Sequence, residues 1–236
     1  CIRDRARAVA RAVHAAPGLR LTGISGYEGA IAHDASPDSL AAVARYLTQL
    51  AELHQLLSSD GLFDQAEEVW ITAGGSAYFD TVTELLTPLA DDRTRVVLRS
   101  GAYLAHDDGF YRGISPLARS TAATTPFRSA LHGWTRVVSR PEPGLALLDG
   151  GKRDLSYDEG MPEPQLVRGR GPLSGRITAL NDQHAFLRDA EVAIGDTVRL
   201  GLSHPCTVFD KWTILPVLDS ADAELPRVVG LVRTWF

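Results

Sequence analysis

The sequence predicts an α/β region followed by an antiparallel β-domain. Three observations carry this. Over residues 1–125, short apolar runs alternate with amphipathic stretches of helical period, the signature of parallel strands joined by helical crossovers. Those apolar runs close on small-residue turns, Ser25-Gly26, Gly74-Gly75-Ser76 and Ser100-Gly101. Over residues 126–236 the segments shorten and Pro/Gly turns come at closer intervals, as in antiparallel sheets. The joint is expected at 126–131.

Each element has its own warrant. Residues 2–16 put Ile2, Ala6, Val9, Ala10 and Val13 on one helical face and arginines on the other, and Pro17-Gly18 ends the helix. The apolar run 19–24 reads as a buried strand. Ser36 as N-cap, Pro37 in the first turn and Asp38 open a second helix, which continues through 40–57 and closes at Asp60-Gly61. A strand over 69–73, a helix over 77–89 and a strand over 96–98 follow. Beyond them, turn clusters such as Pro141-Glu142-Pro143-Gly144, Asp149-Gly150-Gly151 and Pro162-Glu163-Pro164 separate apolar runs. Strands are expected at 135–138, 145–148, 198–200, 214–218 and 228–234, with 221–226 as an exposed hairpin tip.

Composition narrows the function. With 44% hydrophobic and 22% charged residues the chain has the balance of a folded globular protein. A net charge of −5 disfavours sequence-independent nucleic-acid binding, which needs a basic surface. No stretch approaches the roughly 18 apolar residues of a membrane span. Two cysteines, Cys1 and Cys206, make no disulfide framework. Of the 24 basic residues only Lys152 and Lys211 are lysines, so lysine chemistry has two candidates.

Four segments could carry chemistry. In Ser203-His204-Pro205-Cys206, a His and a Cys two apart on an extended segment point to the same side. An imidazole and a thiolate so placed can share a soft cation such as Zn²⁺. The other reading is a loop histidine beside a small buried cysteine. In Gly74-Gly75-Ser76 two glycines and a hydroxyl ahead of a helix suit a phosphate. They suit equally a tight βα turn with Ser76 as N-cap. Gly101-Ala102-Tyr103 offers a tyrosine hydroxyl for a phosphate or a ring to pack under a cofactor, or else an interdomain packing residue. Gly26-Tyr27-Glu28-Gly29 has the same two readings. His14, His54, His132 and His184 are assigned nothing. The Gly-x-Ser-x-Gly, His-Glu-x-x-His and Gly-x-Gly-x-x-Gly motifs are missing from the sequence, which weakens the hydrolase, zincin and Rossmann alternatives.

Taken in order, Leu19-Arg20-Leu21-Thr22-Gly23 with Gly26-Tyr27-Glu28-Gly29, Thr72-Ala73-Gly74-Gly75-Ser76, Arg99-Ser100-Gly101-Ala102-Tyr103 and Leu148-Asp149-Gly150-Gly151-Lys152-Arg153 with Ser156-Tyr157-Asp158 form a pattern. Gly195-Asp196 through Ser203-His204-Pro205-Cys206 to Phe209-Asp210-Lys211-Trp212 completes it. Together they resemble the D-serine dehydratase-like and D-threonine aldolase-like enzymes, pyridoxal-phosphate (PLP) proteins of the alanine-racemase fold type. The resemblance implies a (β/α)₈ barrel, of which this chain would carry the C-terminal part (1–125), then a β-domain (126–236), with the active site between them. It implies a cofactor phosphate held at Gly74, Gly75, Ser76, Gly101 and Tyr103, Tyr27 near the cofactor, and a zinc ion on His204 and Cys206. Cys206 favours the dehydratase branch, because the aldolase branch typically has aspartate there. The chemistry implied is β-elimination from a D-serine-like substrate to a keto acid and ammonia, with the PLP ring as electron sink and Zn²⁺ on the departing hydroxyl.

The chain departs from the family in one respect. Such enzymes carry their Schiff-base lysine on the first barrel strand, and neither Lys152 nor Lys211 matches it. The expectation is therefore a C-terminal fragment without its catalytic lysine, inactive and poorly stable alone, from a cytoplasmic homodimer that binds neither membrane nor nucleic acid. D-threonine aldolase chemistry on the same scaffold and a non-catalytic module, if the chain is whole, are the alternatives.

Overall fold

A computed structural model describes residues 2–120 and 125–235. The chain divides into two compact units, the first reaching to Gly101 and including Ile114–Ser120, the second comprising Ala102–Gly113 and the residues beyond Ser120.

The first unit runs α1 (Ile2–Ala15), β1 (Gly23–Ser25), α2 (Pro37–Ser59), β2 (Val69–Ala73), α3 (Phe79–Leu86) with a 3₁₀ turn at Thr87–Leu89, and β3 (Thr94–Leu98). The strands form a parallel sheet, β1-β2-β3, in register from Ile24↔Ile71 to Ile71↔Val96. All three carboxyl ends therefore share one edge. Helix α2 starts as its sequence dictates: the Ser36 hydroxyl accepts from the Ser39 N–H at 3.3 Å, with Pro37 in the first turn. Val43, Leu47, Leu50, His54 and Leu57 recur on its buried face. Ala10, Leu57, Leu62, Phe63, Ala66 and Val69 form one core cluster of this unit. Asp60 closes α2 through its backbone N–H, and its carboxylate takes two hydrogen bonds from Arg7 of α1.

Two expectations needed correction here. Strand β1 covers only the end of the apolar run 19–24, starting at Gly23, where a Cβ would lie 2.0 Å from the Trp70 carbonyl oxygen. Ser76 is not the cap of α3. The helix begins at Phe79 behind Tyr78, which makes no side-chain cap bond.

Helices α4 (Phe110–Ile114) and α5 (Pro116–Arg119) follow. The second unit then runs β4 (His132–Glu142), β5 (Leu145–Leu148), β6 (Glu163–Val167), β7 (Gly171–Pro172), β8 (Arg176–Leu180), β9 (Ala185–Arg188) and β10 (Thr197–Gly201), ending with β11 (Ile214–Leu218) and β12 (Val228–Arg233). Seven strands form an antiparallel sheet in the order β7-β6-β10-β4-β5-β9-β8. The long β4 joins its halves, pairing through Arg136 with β10 and from Val137 with β5, and register shifts bend it between Val137 and Glu142. Val137, Leu148, Leu187, Val198 and Leu200 are fully buried against it. Strands β11 and β12 pair separately, and the Asp219 carboxylate ties the tip by accepting from the Ser220 and Arg227 N–H groups at 2.9 and 3.0 Å. No helix among the described residues is long and apolar enough to cross a membrane.

Candidate active-site residues

In the first unit the strand ends gather Tyr27, Gly74, Gly75, Ser76 and Gly101. Gly74 has φ +107, a left-handed conformation that favours glycine, and a Cβ there would meet Leu98 at 2.6 Å. A Cβ on Gly75 would meet the Tyr27 ring at 2.9 Å. At Gly101 it would lie 2.4 Å from Ser76 Oγ and 2.5 Å from Ser76 N. The half-exposed Tyr27 thus leans on the glycine turn, and Gly101 seats Ser76.

Two charged residues hold this edge, and sequence reasoning gave neither a role. Arg99, one residue beyond β3, donates to Ser25 Oγ at 2.9 Å, to the Thr72 carbonyl at 3.3 Å and to the Gly26 carbonyl. Its planar fork ties together the ends of all three strands. Glu28 is fully buried, and its Oε2 accepts the Gly74 N–H at 3.0 Å. Its Oε1 has no hydrogen-bond partner among the described residues. The Gly74 N–H is therefore committed to Glu28. The hydroxyls of Tyr27 and Ser76 are groups here whose chemistry suits an anion.

Tyr103 lies in the second unit, in a 3₁₀ turn at Ala102–Leu104, stacked on Phe127 with centroids 5.6 Å apart and planes 9° from parallel. Burial pushes its hydroxyl pKa up.

His204 and Cys206 also lie in the second unit, but not on an extended segment. His204 has φ +58, and Pro205–Val208 is a 3₁₀ turn. Strand β10 ends at Gly201, and Pro205, which has no N–H to donate to a sheet partner, opens the 3₁₀ turn. The pair therefore sits on one short turn, His204 at its cap and Cys206 within it. Interaction with the Cys206 side chain and with the Asp158 carboxylate raises the His204 pKa to about 9 against the opposing effect of burial. Cys206 is free and exposed. His204 Nδ1 contacts Asp158 Oδ2, and Asp158 Oδ1 accepts from Thr207 Oγ1 at 3.0 Å. The Tyr111 ring meets the imidazole edge-on at 5.9 Å.

Beneath His204 lies Asp107, 1% exposed. Its carboxylate accepts from the N–H groups of Arg112 at 2.8 Å, His204 at 3.0 Å, Tyr111 at 3.1 Å and Gly109 at 3.3 Å. Ser203 Oγ donates to the Glu159 carbonyl at 2.9 Å and accepts from the Phe110 N–H at 3.3 Å. Asp158 stands inside a motif legible in the sequence, but four backbone donors converging on the Asp107 carboxylate leave no sequence signal. Among the described residues no group of three or more His, Cys, Asp or Glu could hold a metal ion. The His204–Cys206 pair therefore suits only an open site, completed by water or substrate. Lys152 and Lys211 both lie near the ring of Tyr157, Nζ to centroid 5.9 and 5.8 Å.

The fold defines the class. D-threonine aldolase from Filomicrobium marinum superposes with a TM-score of 0.69, at 23% identity over 95% of this chain and 56% of that one. An alanine racemase-like protein from Idiomarina loihiensis gives 0.64, at 14% identity over 90% of this chain and 56% of that one. This is the alanine-racemase fold type, represented here by three parallel strands and the antiparallel β-domain. Residues 130–218 match the family described as "Putative serine dehydratase domain". The 3-hydroxy-D-aspartate aldolase of Paracoccus denitrificans (strain Pd 1222) is 28% identical over 210 residues, 86% of this chain and 49% of that protein. A D-threonine aldolase from Arthrobacter sp matches with the same identity and coverage. In its second unit the chain is thus similar to the serine dehydratase domain, and over most of its length to D-threonine and 3-hydroxy-D-aspartate aldolases. It spans about half the length of the curated relatives it matches.

Proposed function

We propose that this chain serves a PLP- and zinc-dependent lyase acting on D-β-hydroxy amino acids, with dehydration of a D-serine-like substrate to a keto acid and ammonia as the first reading. The observation that carries it is the placing of His204 and Cys206, an imidazole and a thiol, on one short turn, His204 at its cap and Cys206 within it. Such a pair suits a soft cation such as zinc better than the oxygen ligands preferred by Mg²⁺. PLP, when bound, supplies an electron sink for charge developing at the substrate α-carbon. Zinc, when bound, supplies Lewis acidity toward the β-hydroxyl.

The chain's own residues have distinct tasks in this reading. The Tyr27 and Ser76 hydroxyls hold the cofactor phosphate at the Gly74-Gly75 turn, with Gly101 and Tyr103 as the other contacts. Arg99 keeps the strand ends in place and adds positive charge beside the anion. His204 and Cys206 hold the cation. Neither Lys152 nor Lys211 takes a catalytic role. A homodimer and a cytoplasmic location belong to the same reading.

The test is keto-acid release from D-serine by the full-length protein supplied with PLP, with and without a chelator. Chelator-sensitive release supports the proposal, and no such release from any D-β-hydroxy amino acid defeats it. The curated relatives favour a second reading, retro-aldol cleavage. Glycine and an aldehyde from D-threonine would decide for that branch.

A further inference from the structure

We propose that Asp158 is a positioning residue for the cation pair, holding the His204 ring through Nδ1 so that Nε2 is the nitrogen presented to the metal. The inference rests on the reading of His204 and Cys206 as metal ligands, and it assigns the residue that aims one of them.

The geometry separates ligand from support. Both Asp158 oxygens are engaged, Oδ2 on His204 Nδ1 and Oδ1 on the Thr207 hydroxyl at 3.0 Å. A carboxylate committed in this way is an outer partner of the imidazole rather than a third ligand, in keeping with the lack of a three-residue cluster among the described residues. Metal-binding histidines generally donate their second ring N–H to a carboxylate or carbonyl, which sets the tautomer and stops the ring turning. The main chain around the ring is also fixed. Asp107 accepts the His204 N–H at 3.0 Å, and Ser203 Oγ donates to Glu159, next to Asp158, at 2.9 Å. His204 and Asp158, 46 residues apart, are therefore held at both the backbone and the ring. Thr207 lies within the same turn as Cys206, so its hydroxyl links the supporting carboxylate to the segment bearing the thiol.

Cobalt(II) titration of the full chain tests this, read from the thiolate-to-cobalt charge-transfer band and the visible ligand-field bands. Wild type should bind, and Cys206→Ser should lose the charge-transfer band. Asp158→Ala should weaken cobalt binding by about 10–100-fold and alter the ligand-field bands. The Asp158 side chain is 42% exposed, so this variant should keep its far-ultraviolet circular dichroism. Asp158→Asn, whose amide oxygen can still accept from Nδ1–H, should recover part of the affinity. Thr207→Val is a second variant and should give a smaller loss. Wild-type binding with an Asp158→Ala variant of equal affinity and unchanged spectrum would overturn the positioning role alone. Failure of wild type to bind cobalt would overturn the metal reading and this inference together.

Discussion

Gly101 is the tightest point of the strand-end cluster, because any β-carbon there collides with both the hydroxyl and the backbone nitrogen of Ser76. The backbone nitrogen cannot step aside as a side-chain tip would. Gly101→Ala should cost about 1–3 kcal/mol, seen as a lower urea midpoint. His54 makes the opposite case. It is buried, stacks on Phe63 at 5.8 Å, and neither ring nitrogen has a hydrogen-bond partner among the described residues. Burial holds its pKa below the ordinary value, with Asp91 opposing weakly. The folded state therefore stays neutral while the unfolded chain takes up a proton below about pH 6.5. Its contribution is intact above that pH and is lost as pH falls toward the depressed folded-state pKa. His54→Phe should raise stability by about 1 kcal/mol at neutral pH, with a larger gain at pH 5.5, measured by urea denaturation at both. Ser36 and Pro37 were legible as a helix start because capping is local. The pairing of Ser76 with Gly101 was not, because it joins two turns 25 residues apart.

Among the elements, β9 shows how the β-domain is held together. Leu187 is fully buried and pairs with Ala146 of β5 on one side and Ile177 of β8 on the other. Leu187→Ala should destabilise by about 2–5 kcal/mol on chemical denaturation. Strands β6, β8 and β9 were not expected individually. Arg176-Ile177-Thr178-Ala179-Leu180 has only a weak alternation, and Ala185-Phe186-Leu187-Arg188 is too short to display one. Their pairing makes them strands. The turn after β10 carries a comparable lesson. The spacing of His204 and Cys206 suggested an extended segment, but the pair sits on a 3₁₀ turn whose histidine is anchored by Asp107. Asp107→Ala leaves four N–H groups without their acceptor. It should cost at least about 2 kcal/mol on thermal or urea denaturation.

At the scale of the whole molecule, the β11–β12 hairpin is unusual in being apolar on its outside. Ile214, Val228, Val229 and Leu231 are each half or more exposed, and Pro216 and Arg233 are the residues of the pair that blunt an edge. Such a surface promotes self-association. Val229→Lys with Leu231→Lys should lower concentration-dependent light scattering while leaving the circular dichroism spectrum unchanged. The sequence by itself determined the order of helices and parallel strands, the change of pattern before the β-domain, the resemblance to a known family, and the residue types suited to an anion and a soft cation. These follow from periodicity, caps, turns and motifs, all of which act over a few neighbouring residues. The tertiary structure alone decided that Arg99 ties three strand ends, that Glu28 takes the Gly74 N–H, and that Asp107 and Asp158 hold His204 from two sides. The physical reason is that a buried carboxylate or guanidinium must find its partners wherever the fold brings them, and those partners lie tens of residues away along the chain.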